Sequence, residues 1–203
     1  MSYVSKTQMR KVVISGTIGS GKTYISNILK ERGVPVLCLD EVAAHIRDTQ
    51  AKAEIVEAFG QDILTNDEID RKKLGNIVFA SKQAKRQLES FIHPKVLVEM
   101  QAFFKKHTHA PICVVEVANV HEFGWEVYFD EVWIVTCDDA VAIERLMKQR
   151  GYSKEYANTV LSAQKKFMPN TQQVSAYIYN NPGDDVFCQL DELLESRGSY
   201  DIT

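Results

Sequence analysis

Positions 16 to 23 read Gly16-Thr17-Ile18-Gly19-Ser20-Gly21-Lys22-Thr23, which satisfies the G-x-x-x-x-G-K-[ST] phosphate-loop pattern at each of its fixed positions. Such a segment works only where a strand delivers it and a helix carries the chain away, and both flanks comply. Val12-Val13-Ile14 is the short β-branched run of a buried parallel strand, and Ile25, Ile28 and Leu29 recur at helical spacing. The glycines let the backbone curl until successive N–H groups and the helix N-terminus converge on one anion. Lys22 is then placed to reach the β- and γ-phosphates of a nucleoside triphosphate, and the Thr23 hydroxyl to ligate the Mg²⁺ that bridges them. The expected nucleotide-binding set is Gly19, Ser20, Gly21, Lys22, Thr23 and Tyr24, with Thr23 the metal ligand. The plainer alternative is a glycine-rich turn with a solvated Lys22; agreement of two glycines, the Lys, the Thr and both flanks favours the triphosphate.

Gly33 is a plausible stop for the first helix, and the apolar run Val34-Pro35-Val36-Leu37-Cys38-Leu39 reads as the second strand, ending at Asp40. A right-handed strand–helix–strand crossover puts the C-terminal ends of both strands at one edge of the sheet, the edge where open α/β sheets bind their ligands. Asp40 is therefore expected near the phosphates, its competing role being that of a helix cap.

From Glu41 to about His109 no strand is evident. Ile55 and Phe59, then Leu74, Ile77 and Val78, then Val96, Met100, Phe103 and Phe104 recur at helical spacing, and Pro94, after His93, is expected to open a new helix. Strands resume at Ile112-Cys113-Val114-Val115-Glu116-Val117 and Val132-Trp133-Ile134-Val135. A helix is expected from near Asp138 to Gly151, another from Ser153 through Lys166, a strand at Ala176-Tyr177-Ile178-Tyr179 and a last helix carrying Val186, Leu190, Leu193 and Leu194. The predicted fold class is α/β: a P-loop NTPase fold with a parallel sheet, helices on both faces, a helical substrate-binding insertion and a helical lid. One domain over 1–203 is expected, with its core at about 10–40 and 110–200, an acceptor lobe at about 41–109 and the lid at about 145–172.

A chain of 203 residues has room for this core, and 45% hydrophobic with 25% charged residues is the balance of a soluble globular protein. The net charge of -3 offers nucleic acid no global attraction. No apolar run approaches the ~18 to 20 residues of a membrane helix, and no secretory signal pattern precedes the first strand, so a cytoplasmic location is expected. Cys38, Cys113, Cys137 and Cys188 are far apart, the pattern of buried reduced thiols rather than of disulfides or a zinc site. Glu116 lies inside an apolar strand, where a carboxylate needs a partner: either Mg²⁺ reached through water or a buried basic group.

Beyond the loop, the order and spacing of several short pieces resemble the dephospho-coenzyme A kinase family, from about Val12 to Arg197. They are Gly33-Val34-Pro35-Val36 leading to Asp40, Phe59-Gly60 with Ile63-Leu64, Asp70-Arg71, Leu74 with Val78-Phe79-Ala80, and Ile92-His93-Pro94. Arg145-Leu146-Met147 with Arg150, Ala163-Gln164 and Asn180-Asn181 complete the match. The resemblance implies transfer of the ATP γ-phosphoryl group to the 3′-hydroxyl of dephospho-coenzyme A. It gives Asp40, with Lys22, the catalytic roles, and places Arg145, Arg150 and Asn180 at the nucleotide and His93 and Arg71 at the acceptor. It implies ATP, Mg²⁺ and dephospho-coenzyme A as ligands, with no nucleic acid, membrane or protein partner. Against the family's usual pattern, Cys38-Leu39-Asp40 keeps one carboxylate of Asp-Ala-Asp, Ala118-Asn119-Val120-His121-Glu122 keeps only the final Glu of Pro-Leu-Leu-Phe-Glu, and the lid arginines fall at Phe167 and Asn170. Lys165 and Lys166 supply charge there, but a flexible ammonium does not copy a bidentate guanidinium. The competing functions are phosphorylation of another acceptor, such as a nucleoside or nucleotide, and ATP binding in a regulatory protein with weak transfer.

Overall fold

The computed structural model describes residues 8–118, 120–166 and 173–196. The chain forms two compact units, Met1–Val36 with His109–Thr203, and Leu37–Thr108.

A five-stranded sheet organises the first unit. Its strands are β1 (Arg10–Ser15), β2 (Val36–Cys38), β5 (Ile112–Glu116), β6 (Glu131–Thr136) and β7 (Ala176–Tyr179), in the order β2-β5-β1-β6-β7. β1 lies at the centre and pairs in parallel with β5 (Val12 opposite Val114) and with β6 (Ile14 opposite Trp133); β6 pairs in parallel with β7. Parallel strands covered on both faces read as continuous apolar runs, and Val12, Val13 and Ile14 are all fully buried. On one face Val12, Ile14, Val114, Trp133, Val135 and Ile178 pack with Ile25 and Leu29 of α1 (Lys22–Glu31) and with Val186 and Leu190 of α8 (Val186–Glu195). Each such side chain contributes about 1.5–3 kcal/mol by leaving water, which fixes the frame from which the loop after β1 projects.

Local chemistry accounts for the element ends. Gly33 (φ +78) closes α1: its N–H donates to Lys30 O and the Val34 N–H to Leu29 O, the paired bonds of a Schellman ending. Arg10 grips Glu131 with two hydrogen bonds of 2.6 and 2.9 Å and also donates to Leu193 O, joining the starts of β1 and β6 to α8. On the edge strand β7, Gln189 bonds both the N–H and the C=O of Tyr179, covering backbone groups that edge strands leave open.

The second unit differs from the sequence reading in three places. The strand expected over 34–39 is three residues long: Leu39 already begins α2 (Leu39–Asp48), with Cys38 as its N-cap. The turn-rich stretch holds a small antiparallel hairpin, β3 (Leu64–Thr65) with β4 (Glu68–Ile69). Asn66 and Asp67 at its tip have φ of 52° and 61°, the left-handed backbone that two-residue hairpin loops require. Pro94 opens no helix; it lies inside α5 (Lys82–Lys106). Proline removes the N–H that would serve Ser90 O and crowds that carbonyl, yet the helix runs on past it; at the next residue the Lys95 ammonium donates to Phe91 O at 3.1 Å and grips Glu54 of α3 (Lys52–Phe59) at 3.0 Å. Between the hairpin and α5 runs α4 (Arg71–Ala80), capped by Asp70, whose carboxylate accepts the Lys72 and Lys73 N–H groups.

None of the four cysteines is in a disulfide: Cys113 is buried, Cys38 and Cys137 are partly so, and Cys188, expected buried, is exposed on α8. Burial pushes the Cys113 thiol up to about 11. No helix among the described residues is long and apolar enough to cross a membrane.

Candidate active site

The loop between β1 and α1 has its shape because side chains are missing where the backbone must pass. A Cβ on Gly16 would strike the Val135 carbonyl of β6, and one on Gly21 would strike the Asn180 side-chain amide. Gly21 is also the N-cap of α1, at φ +97, a conformation other residues adopt only under strain. α1 begins with no side-chain cap and no acidic residue in its first turn, and its first intrahelical bond is Ile25 N–H to Gly21 O. The amides before that bond are the ones every helix start leaves without an intrahelical acceptor, so they and the helix dipole favour an anion. The Lys22 ammonium lies back over the loop, donating to Gly16 O at 2.8 Å and Thr17 O at 3.3 Å.

Glu116 ends β5 beside this loop and is 5% exposed. Its carboxylate accepts the Thr23 hydroxyl at 3.0 Å, so of the two partners the sequence left open, a basic group is not the one found. A hydroxyl that donates its proton to a carboxylate turns its lone pairs outward, the arrangement a metal-ligating Thr needs. These residues fit Mg²⁺, which is held by one or two protein oxygens together with water and phosphate oxygens rather than by an all-protein cage. Among the described residues no group of three His, Cys, Asp or Glu could form such a cage. Glu116→Gln is expected to preserve the fold and raise the Mg²⁺ concentration needed for half-maximal activity about tenfold, read from a metal titration of turnover.

Two later elements meet the loop. α6 (Asp139–Arg150) carries Arg145, whose Nη1 donates to Gly19 O and Ser20 O, 3.2 Å each, and whose Nη2 donates to Asn180 O at 2.7 Å. Asn180, just after β7, is buried and donates its side-chain N–H to Ser20 O at 2.7 Å. Asn181 accepts the Asp138 N–H at the start of α6. From α7 (Lys154–Lys165), Gln164 accepts the Ile18 N–H at 2.6 Å, and Lys165 pairs with Asp139. Sequence reasoning placed Ala163-Gln164 in a recurring pattern without a role; one glutamine on a helix face carries no local sign that it will touch a loop 146 residues away. Arg150 and Tyr24 are exposed, and Phe167 and Asn170, with the rest of the expected lid to residue 172, lie outside the described residues.

The remaining predicted residues belong to the second unit. Asp40 is exposed in the first turn of α2 and is not its cap, a position held by Cys38. Arg71 opens α4 with its guanidinium mostly exposed, 3.7 Å from Asp48, which Arg47 grips at 2.6 Å. The Asp48 carboxyl is held below the usual carboxylate range, first by the Arg47 hydrogen bond and then by the charges of Arg47 and Arg71. Two guanidinium groups against one carboxylate leave this cluster net positive. His93 lies partly buried in the middle of α5.

The family pattern described as dephospho-CoA kinase matches residues 10–184. A dephospho-CoA kinase of Geobacillus kaustophilus is 36% identical over 175 residues, covering 83% of this chain and 86% of that protein. The crystal structure of TT1252 from Thermus thermophilus superposes with a TM-score of 0.83 at 25% identity, over 94% of this chain and 99% of that one. The dephospho-CoA kinase from Campylobacter jejuni gives 0.63 at 27% identity, over 90% and 96%. With a family pattern matched over nearly all of the described chain and relatives matched over most of their own length, this chain belongs to the dephospho-CoA kinase family.

Proposed function

We propose that the protein transfers the γ-phosphoryl group of ATP to the 3′-hydroxyl of dephospho-coenzyme A, yielding coenzyme A and ADP. The observation that carries this reading is the pairing of Thr23 with buried Glu116 beside the uncapped start of α1. That pairing readies an oxygen for a cation next to donors suited to phosphate, and family membership points to the acceptor. In the transfer, the bond from the γ-phosphorus to the bridging oxygen breaks as the bond to the 3′-oxygen forms, and ADP leaves. Asp40 orients the hydroxyl and takes its proton late, when the new bond has made that proton acidic. Charge developing on the γ-phosphoryl oxygens is met by the loop amides and by Lys22, which swings from Gly16 O and Thr17 O to the phosphates. Thr23, backed by Glu116, would hold Mg²⁺, which would supply charge neutralisation at the phosphates.

Both substrates are polyanions, which gives the net-positive Arg47–Asp48–Arg71 cluster a use at the acceptor, with His93 on the same unit. The test is coenzyme A formation by purified protein with ATP, Mg²⁺ and dephospho-coenzyme A. The expected result is ADP release that depends on dephospho-coenzyme A and yields coenzyme A in equal amount. Faster release with a nucleoside or nucleotide would reassign the acceptor, and absence of substrate-dependent release would reject the enzyme.

A further inference from the structure

The carbonyl oxygens of Gly19 and Ser20 are held by side chains that come from far along the chain. Ser20 O accepts from both Arg145 Nη1 (3.2 Å) and Asn180 Nδ2 (2.7 Å), and Gly19 O accepts from Arg145 Nη1 (3.2 Å). The frame closes on itself, since Arg145 Nη2 donates to Asn180 O at 2.7 Å, and it is anchored to the sheet by the Asn180 N–H, which donates to Thr136 O at 2.9 Å. Three donors of the guanidinium fork are thus engaged with backbone, two of them on the loop itself.

A trans peptide unit is planar, with its C=O and N–H pointing in opposite directions. Pinning the Ser20 carbonyl on Arg145 and Asn180 therefore aims the Gly21 N–H the other way, whereas the Ser20 N–H, across the peptide from the Gly19 carbonyl, is turned back to Thr17 O at 3.2 Å and braces the loop. A glycine-rich segment has no side chains of its own to resist peptide rotation, and Gly21 lacks even a Cβ because Asn180 occupies that space. We infer that Arg145 and Asn180 are positioning residues that set the direction of the Gly21 amide in the phosphate loop, acting on the backbone rather than as ligands of the nucleotide. This rests on the reading of the loop as a phosphate site. It makes the geometry of the fork matter more than its charge, since the one nitrogen of an ammonium at position 145 cannot stand both where Nη1 meets Gly19 O and Ser20 O and where Nη2 meets Asn180 O.

The experiment compares wild type, Arg145→Lys and Asn180→Ala for binding of inorganic tripolyphosphate, ADP and adenosine by calorimetry, with thermal melting to select folded variants. Tripolyphosphate and ADP affinity are expected to fall about tenfold or more in both variants, the loss that follows when hydrogen bonds to a charged group are misaimed, while adenosine binding stays unchanged. In the ligand-free proteins, the Gly21 amide resonance is expected to shift in both variants, which charge loss at a distance would not produce in Arg145→Lys. Weaker adenosine binding with tripolyphosphate unchanged would make Arg145 a base contact and overturn the inference. So would an unmoved Gly21 amide in either folded variant. Failure of wild type to bind tripolyphosphate or ADP would instead overturn the phosphate-site reading itself.

Discussion

Lys22→Ala is expected to lower turnover about 10³-fold while leaving the melting temperature nearly unchanged. The two halves of this expectation have separate causes. The ammonium lies on the loop surface of the site, donating to Gly16 O and Thr17 O, and it is not part of the apolar core that packs the sheet. In the proposed transfer the same group would neutralise charge that grows on the γ-phosphoryl oxygens, and phosphoryl transfer leaves the protein little else to do than position and neutralise. A donor aimed at developing transition-state charge in a water-poor site is worth about 10²–10³ in rate, and a full positive charge sits at the upper end. Lys22→Arg should not rescue, because a planar fork does not fit where a compact ammonium follows the curl of the loop. Turnover of Lys22→Ala within tenfold of wild type, measured as steady-state ADP release, would remove Lys22 from the chemistry.

Asp40→Asn is expected to cost about 10²-fold or more in turnover with little change in stability. Asn has the size of Asp and some of its hydrogen-bonding ability, but it cannot accept the proton of an attacking hydroxyl. The structural alternative for Asp40 was a cap on the following helix, and Cys38 holds that position. What the substitution removes from α2 is one negative charge near its N-terminus, less than about 1 kcal/mol at an exposed site with Glu41 still in the same turn. Stability and activity are thereby separated in a single variant. If Asp40→Asn retains turnover, the hydroxyl is activated by another group, and a search among the polar residues of the second unit begins with His93.

Much of the fold was legible in the sequence because its signals are local. The alternation of β-branched runs with helical periodicity located β1, α1, β5, β6, α6, α7, β7 and α8, and Gly33 and Gly151 marked helix ends through backbone conformations that side chains disfavour. The misreadings arose where a tertiary contact outweighed a local rule. Pro94 stays inside a 25-residue helix that the Lys95–Glu54 pair ties to α3, and a two-residue strand such as β3 is too short to show any period. The site divides along the same line. Lys22, Thr23 and the glycines form one contiguous motif, whereas the bonds of Glu116, Arg145, Gln164 and Asn180 to that motif span 93 to 160 residues of sequence, with nothing nearby to announce them.

β1 sits at the middle of the sheet, yet both its neighbours come from the far side of the helical unit: Val12 faces Val114 on one side and Glu131 on the other. A nascent chain emerging from the ribosome carries the nucleotide motif before either neighbour of β1 has been made, and cannot yet give it form. The clamp of Arg10 on Glu131 waits 121 residues, and the Asn180 bond to Ser20 waits 160. Pairing so distant is slow to nucleate, because the entropy of closing a long loop is spent before any contact repays it. During translation the earliest-made part of the catalytic apparatus is therefore among the last to become competent, and a truncated product ending before β7 is expected to hold the motif in sequence while failing to retain ADP on a filter.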